Sequence, residues 1–300
     1  MTTGGAAPRL HWWGTLLYVP LLYGLGWLMS RPLALLAPGW RSDQLDLAGL
    51  LISLLLLLVT LPQRIRQRWG ADRPWQRLGL WPAGAADTTA MGSQAIAKAF
   101  LRGLLKALLL LGPLSAVLLV LGQARWLGEL GSGELANAIA LVLGVGFAEE
   151  LLFRGWLWGE LELQLGARRA LGLQAAIFAL LHPWYRLIDP VDLPHLLQAL
   201  GLLGGLVLLG LALALQRRAD GGLLWGAVGL HGTLVGGWFA LQNGLIELSP
   251  AAPAWIVGPG GANPNPIGGL FGLAGLGILL WVRRRWWSQQ ASGASGSIAI

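Results

Sequence analysis

Leu45-Asp46-Leu47-Ala48-Gly49-Leu50-Leu51-Ile52-Ser53-Leu54-Leu55-Leu56-Leu57-Leu58-Val59-Thr60-Leu61, closed by Pro62 and followed by Arg64, Arg66 and Arg68, is the stretch that decides the fold class. At about 1.5 Å of rise per residue it covers most of a hydrocarbon layer about 30 Å thick, and the basic cluster behind it marks a membrane boundary. Proline at the end of an apolar run predicts that the helix stops there. Outward from this span, similar apolar runs recur: Trp12 to Met29, Ala97 to Leu121, Leu135 to Trp158, Ala170 to Leu181, Leu196 to Leu215, Leu223 to Leu241 and Ile267 to Val282. The reading is an all-α polytopic membrane protein with about eight transmembrane helices.

Composition agrees. Of 300 residues, 55% are hydrophobic and only 12% charged, against about 25% charged in soluble chains, and the mean hydropathy is +0.61. No large soluble domain fits between the spans. The net charge of +7 belongs to membrane-facing segments, and no nucleic-acid motif is present. With 0 Cys there is no disulfide framework, thiol nucleophile or Cys-ligated metal. The first apolar run lacks a small-residue cleavage site and reads as a retained helix rather than a signal peptide.

Orientation follows from the basic residues, since short cytoplasmic loops retain Lys and Arg. With a cytoplasmic N-terminus, 13 arginines fall inside (Arg9, Arg64, Arg66, Arg68, Arg73, Arg77, Arg168, Arg169, Arg217, Arg218, Arg283, Arg284, Arg285) and 4 outside (Arg31, Arg41, Arg125, Arg186). Both termini are therefore expected in the cytoplasm. Trp12, Trp13, Trp126, Trp184, Trp286 and Trp287 suit an interfacial belt. Four regions are expected: 1–134, helices 1–3 with a basic cytoplasmic linker at 63–93 that reads as a loop held near lipid headgroups; 135–245, the catalytic core; 246–287, an outer Gly/Pro-rich loop and the last helix; and 288–300, a disordered tail.

A charge inside hydrocarbon costs at least about 3 kcal/mol and marks function. Helix 4 carries Gly144-Val145-Gly146-Phe147-Ala148-Glu149-Glu150-Leu151-Leu152-Phe153-Arg154-Gly155, helix 5 ends in Phe178-Ala179-Leu180-Leu181-His182, and helix 7 holds Gly229-Leu230-His231-Gly232. Counted from Glu160, Arg169 and Asp220, the depths of Glu149, His182 and His231 are about 17, 20 and 17 Å, so one intramembrane site between helices 4, 5 and 7 is expected. Residues four apart share a helix face, which pairs Glu150 with Arg154 and turns Glu149 elsewhere, towards the histidines. Two chemistries then stand open. Glu149, with an imidazole, can deprotonate water while the second imidazole stabilises an oxyanion; or Glu149, His182 and His231 can bind Zn and leave its fourth position to water.

These residues resemble the CAAX protease and bacteriocin-processing family, also called the abortive-infection family of intramembrane endopeptidases. Its motifs are Glu-Glu-x-x-x-Arg, Phe-x-x-x-His and a third His motif, matched here by Glu149, Glu150 and Arg154, by Phe178 and His182, and by His231. The resemblance covers about 135–240. It implies catalytic roles for Glu149, Glu150, Arg154, His182 and His231: a glutamate-activated water assisted by His182, with His231 in the oxyanion hole and no cofactor required, although metal dependence has also been argued. The substrate it implies is a membrane-associated or lipid-modified protein within the membrane lipid, reached from the cytoplasm, in a plasma (inner) membrane of bacterial type. One departure is Val235, which stands one turn after His231 where Ras-converting members carry Asn and which cannot donate a hydrogen bond.

Other readings compete. Glu150 and Arg154 serve equally as a packing ion pair, and His182, before Pro183, can simply cap a carbonyl. His11 and His195 belong to the interface, Arg102 and Lys106 snorkel towards the cytoplasm, and Asp189 and Asp192 are solvated. Gly201, Gly204, Gly205, Gly226 and Gly229 suit close helix packing. At the level of the whole chain, a catalytically inactive relative acting as a membrane-binding, immunity or assembly factor is the alternative, favoured by Val235. A proton-coupled transporter would also need buried Glu and His, but no repeated, interrupted helices are found.

Overall fold

The computed structural model describes residues 12–82, 89–189 and 191–284. Arg9, His11, Arg285, Trp286, Trp287 and the tail from Ser288 lie outside the described residues. The chain divides into two compact units, residues 1–78 and 79–300.

In the first unit, α1 (Trp12–Ser30) and α3 (Ser42–Trp69) form an antiparallel pair joined through the short α2 (Leu33–Leu36). Small residues let the two backbones approach: a Cβ on Gly49 would lie 3.3 Å from Trp27 Cα, the packing expected where lipid offers no hydrophobic drive. Tyr18 Oη and Thr60 Oγ1 bond at 2.7 Å, and Arg64 donates to the Gly14 carbonyl at 2.9 Å. The expected stop at Pro62 is wrong, because α3 runs on to Trp69. Leu61 and Ile65, one turn apart, are fully buried, and this packing outweighs the hydrogen bond that Pro62 removes. The basic linker is correspondingly shorter than expected; it includes α4 (Pro74–Arg77) and the fully buried Leu78.

The second unit is built around α11 (Trp225–Ala240), a helix buried on nearly every side from Gly226 to Leu234. Its sequence explains how. A Cβ on Gly229 would run into the Phe100 carbonyl of α5 (Thr89–Val120), and one on Gly232 into the backbone of Val142. Two glycine faces therefore admit two neighbours at backbone contact. The second neighbour is one continuous helix, Ser132–Leu165, composed of α6 (Ser132–Ala140), a π-helical stretch (Leu141–Val145), α7 (Gly146–Glu150), a second π-helical stretch (Leu151–Leu157) and α8 (Trp158–Leu165). Gly166, with φ of 76°, breaks the helix in a conformation that only glycine adopts freely. The chain then returns as α9 (Ala167–Leu180), and α10 (Leu193–Ala219) packs on α9 where Gly210 meets Ala175.

The tracts 124–126 and 246–248, expected as loop, pair as antiparallel strands, β1 (Ala124–Trp126) and β2 (Ile246–Leu248), with Arg125 bonded to Glu247 at 2.6 Å. The Gly/Pro-rich segment after β2 folds back on the bundle. It includes α12 (Ala254–Val257), and Ile267 packs at Gly205 before α13 (Leu270–Val282).

All eight expected apolar helices are present. Five stretches, Trp12–Leu36, Ser42–Trp69, Ala90–Val120, Ser132–Leu165 and Leu193–Ala219, are long and apolar enough to cross a membrane. Helices α9, α11 and α13 are shorter, at 14, 16 and 13 residues, and α11 continues through a π-helical turn, Leu241–Leu245. The chain is an all-α polytopic membrane protein.

Candidate active site

The helix turned at Gly166 sets up the site. Glu149 stands 17 residues before Gly166 and His182 stands 16 after it, so a hairpin of equal arms brings both to about the same level. His231 enters from α11, whose Gly232 contacts α7 at Gly146, where a Cβ would lie 2.7 Å from Gly232 Cα. The depth expected for His231 needs correction: α11 begins at Trp225, so His231 lies only about 9 Å from its start.

The structure brings all five candidate residues together. Glu149 Oε2 is 3.8 Å from His182 Nε2 and 3.9 Å from His231 Nε2. Glu150 Oε1 accepts from Arg154 Nη1 at 2.9 Å and pairs with His231 Nδ1 at 2.9 Å. His182 Nδ1 lies 2.7 Å from the Phe178 carbonyl. Burial divides the residues into two layers. The side chains of Glu150 and Arg154 are 0% exposed and that of His231 is 4% exposed, whereas Glu149 and His182 are 31% and 26% exposed. Glu149 and His182 thus form the accessible edge, and Glu150 and Arg154 the wall behind it.

Hydrogen bonding assigns the tautomers. A carbonyl oxygen only accepts, so His182 Nδ1 carries a proton; the Glu150 carboxylate asks the same of His231 Nδ1. In the neutral rings both Nε2 atoms therefore face Glu149 as acceptors. For His231 to donate to an oxyanion its ring must hold a second proton, a condition the sequence reading did not contain. Phe178 is a further organising residue. It is fully buried, its ring stands 4.1 Å below the Arg154 guanidinium carbon, and it packs 4.5 Å from the His182 ring and 5.7 Å from the His231 ring. Its spacing one turn before His182 was the available signal. Arg217, which donates to the Arg154 carbonyl within the second π-helical stretch, had no sequence signal. That bond occupies a carbonyl of the kind a π-bulge releases from the regular ladder.

The donor types suit zinc, with two imidazole nitrogens and a carboxylate, and they stand wider apart than bound donors would. A tetrahedral zinc with bonds of about 2.0–2.1 Å holds its donors about 3.3 Å apart, less than the 3.8 and 3.9 Å found here. Among the described residues no group of three His, Asp or Glu is arranged to hold a metal ion.

Outside the site, Asp192 is not merely solvated: it caps α10, accepting from the His195 backbone N–H at 2.9 Å and lying 2.7 Å from His195 Nδ1. Asp189 is exposed. Arg102 and Lys106 do not simply snorkel, since Arg102 bonds Asp220 at 2.6 Å and Lys106 bonds Gln216.

Comparison with known families bears on this geometry. Residues 131–236, which contain every residue of the cluster, match the family model described as type II CAAX prenyl endopeptidase Rce1-like. Over this segment the chain is similar to the CAAX protease family. Residues 2–73 match a separate family model, described as a domain of unknown function (DUF8676). No curated protein and no solved structure matches the chain. The matched segment spans the helix Ser132–Leu165, α9, α10 and most of α11, while α13 lies outside it.

Proposed function

We propose that the chain is an intramembrane endopeptidase that hydrolyses a peptide bond of a membrane-associated or lipid-modified protein, through a cavity open to the cytoplasm of a bacterial-type plasma membrane with both termini inside. The observation that carries this reading is a carboxylate, Glu149, within 4 Å of two imidazole nitrogens, one just past the end of α9 and one on α11, at the accessible edge of an otherwise buried polar cluster. A water bridging these atoms gives one proton to Glu149 while its oxygen attacks the scissile carbonyl carbon. Glu149, Glu150 and Arg154 together carry one negative charge, which one extra proton on an imidazole balances. We assign that proton to His231, because its Nδ1–H already bonds the Glu150 carboxylate. Nε2–H then donates to the oxyanion, a contact worth about 3 kcal/mol in such sites, and supplies the donor that Val235 lacks. On collapse the C–N bond breaks, the proton held by Glu149 passes to the leaving nitrogen, and a carboxyl group and an amine separate. His182, fixed by the Phe178 carbonyl, orients the water.

This route requires no metal. The test is comparative membrane proteomics on cells carrying the wild type, Glu149→Ala or His182→Ala, scoring new peptide termini, with a chelator added to wild-type membranes. Termini that form only with the wild type and persist under chelation are expected. Identical termini in all three strains, with the variants folded and abundant, would overturn the protease reading in favour of a non-catalytic membrane-binding or immunity role, for which Val235 is the supporting observation.

A further inference from the structure

A second polar cluster lies on the opposite side of α11. Arg102 of α5 donates through Nε and Nη2 to Asp220 Oδ1 at 3.0 and 2.6 Å, Gln216 Nε2 donates to Asp220 Oδ2 at 2.6 Å, and Lys106 donates to Gln216 Oε1. The Asp220 side chain is only 2% exposed, and both its oxygens are occupied. The chain of bonds ends on Lys106, whose ammonium faces a narrow recess closed by Leu215, Gln216, Leu230, Leu280 and Arg283. No carboxylate lines this recess, and Arg283 makes no side-chain hydrogen bond among the described residues. Arg102, Lys106 and Arg283 against Asp220 leave two positive charges without a counter-ion, part-buried beside apolar side chains. Such an excess is costly unless an anion completes it.

We infer that this recess binds the phosphate of an anionic glycerophospholipid. Two observations favour a lipid over another anion. The recess sits at the C-terminal ends of α10 and α13, where Arg217 and Arg218 close α10 and Arg283 follows α13, the kind of basic helix end at which phospholipid headgroups concentrate. The same turn of α13 presents Ile278, Trp281 and Val282 at 61, 63 and 62% exposure, an apolar track for acyl chains, and Arg284 stacks on Trp281 at 4.0 Å. Leu230 lines the recess while its neighbour His231 faces the candidate active site, so a lipid here touches the helix that carries His231 without entering the reaction site. The inference does not depend on the proposed protease activity.

The full chain, purified in neutral detergent, is titrated with phosphatidylglycerol, with phosphatidylcholine and with inorganic phosphate, following lipid adducts by native mass spectrometry and stability by melting temperature. Phosphatidylglycerol is expected to bind and stabilise, and the other two are not. Lys106→Gln/Arg283→Gln is expected to weaken phosphatidylglycerol about thirtyfold, the loss expected of two cations near a headgroup. Arg283→Gln alone, at an accessible helix end, gives about fivefold and serves if the double variant fails to fold. Unchanged phosphatidylglycerol affinity in Arg283→Gln, equal stabilisation by inorganic phosphate, or the same loss from Arg168→Gln/Arg169→Gln elsewhere on the surface would each overturn the inference.

Discussion

Glu149 and Glu150 are neighbours in sequence, yet their removal should have opposite consequences. Glu150→Ala takes away the acceptor shared by Arg154 Nη1 and His231 Nδ1 and strands a guanidinium that is 0% exposed. Removing one partner of a buried pair costs about 3–5 kcal/mol. At about 2–4 °C per kcal/mol for a unit of this size, the melting temperature should fall by roughly 6–20 °C. Glu149 makes no hydrogen bond within 3.5 Å to either histidine and is 31% exposed. Its loss should change stability by no more than about 0.5 kcal/mol, while hydrolysis falls by about 10²–10⁴, the share a general base contributes. Tryptophan fluorescence during heating in detergent measures the first effect, and termini released from a membrane substrate measure the second. Glu150→Ala/Arg154→Leu should recover much of the stability, since removing both charges leaves neither stranded. A Glu150→Ala protein that melts within 2 °C of wild type, or a Glu149→Ala protein that melts far below it, would refute the two-layer description of the site.

Two further outcomes follow from packing and capping. Gly232→Val places side-chain atoms where the Val142 backbone lies, so it should destabilise by about 1–3 kcal/mol and lower turnover about a hundredfold by displacing His231, whereas Gly204→Val, with nothing within 4 Å of its Cβ, should be silent in both the melting and the cleavage assay. The Asp192 carboxyl is held below the ordinary aspartate value, first by the His195 backbone N–H and then by the His195 side chain. A lowered folded value means that the capping contribution is present above the unfolded value, about 3.9, and fades as pH falls through the folded one. The protection of amides at the start of α10, measured as the exchange rate relative to the unstructured rate at the same pH, should therefore fall below about pH 4 in the wild type and be low at every pH in Asp192→Ala; wild-type protection that does not change with pH would contradict the cap.

Apolar run length made the helices legible, because satisfying backbone groups in hydrocarbon leaves almost no alternative to a helix. The same signal says little about helix ends. Pro62 was read as a stop, but Leu61 and Ile65 bury one continuous face across it, and no local rule foresees a tertiary contact. The strand pair at Arg125 and Glu247 joins residues 122 positions apart, beyond the reach of any periodicity.

At the site, i,i+4 geometry sufficed to join Glu150 to Arg154 and to turn Glu149 away, even though the helix is π-wound on both sides of α7. What that geometry could not supply was the bond from His231 to Glu150, which crosses between helices and depends on Gly146 meeting Gly232 at backbone contact. This bond changes the chemistry assigned to each residue. Glu150 ceases to be only a partner for Arg154 and becomes the group that fixes which nitrogen of His231 faces Glu149. On the proposed route, oxyanion stabilisation by His231 requires a doubly protonated ring, and the carboxylate 2.9 Å from its Nδ1 is the group placed to balance that charge. On the proposed hydrolytic route the paired glutamates would be two halves of one device: one to take the proton from water, the other to hold the charge of the donor that receives the oxyanion.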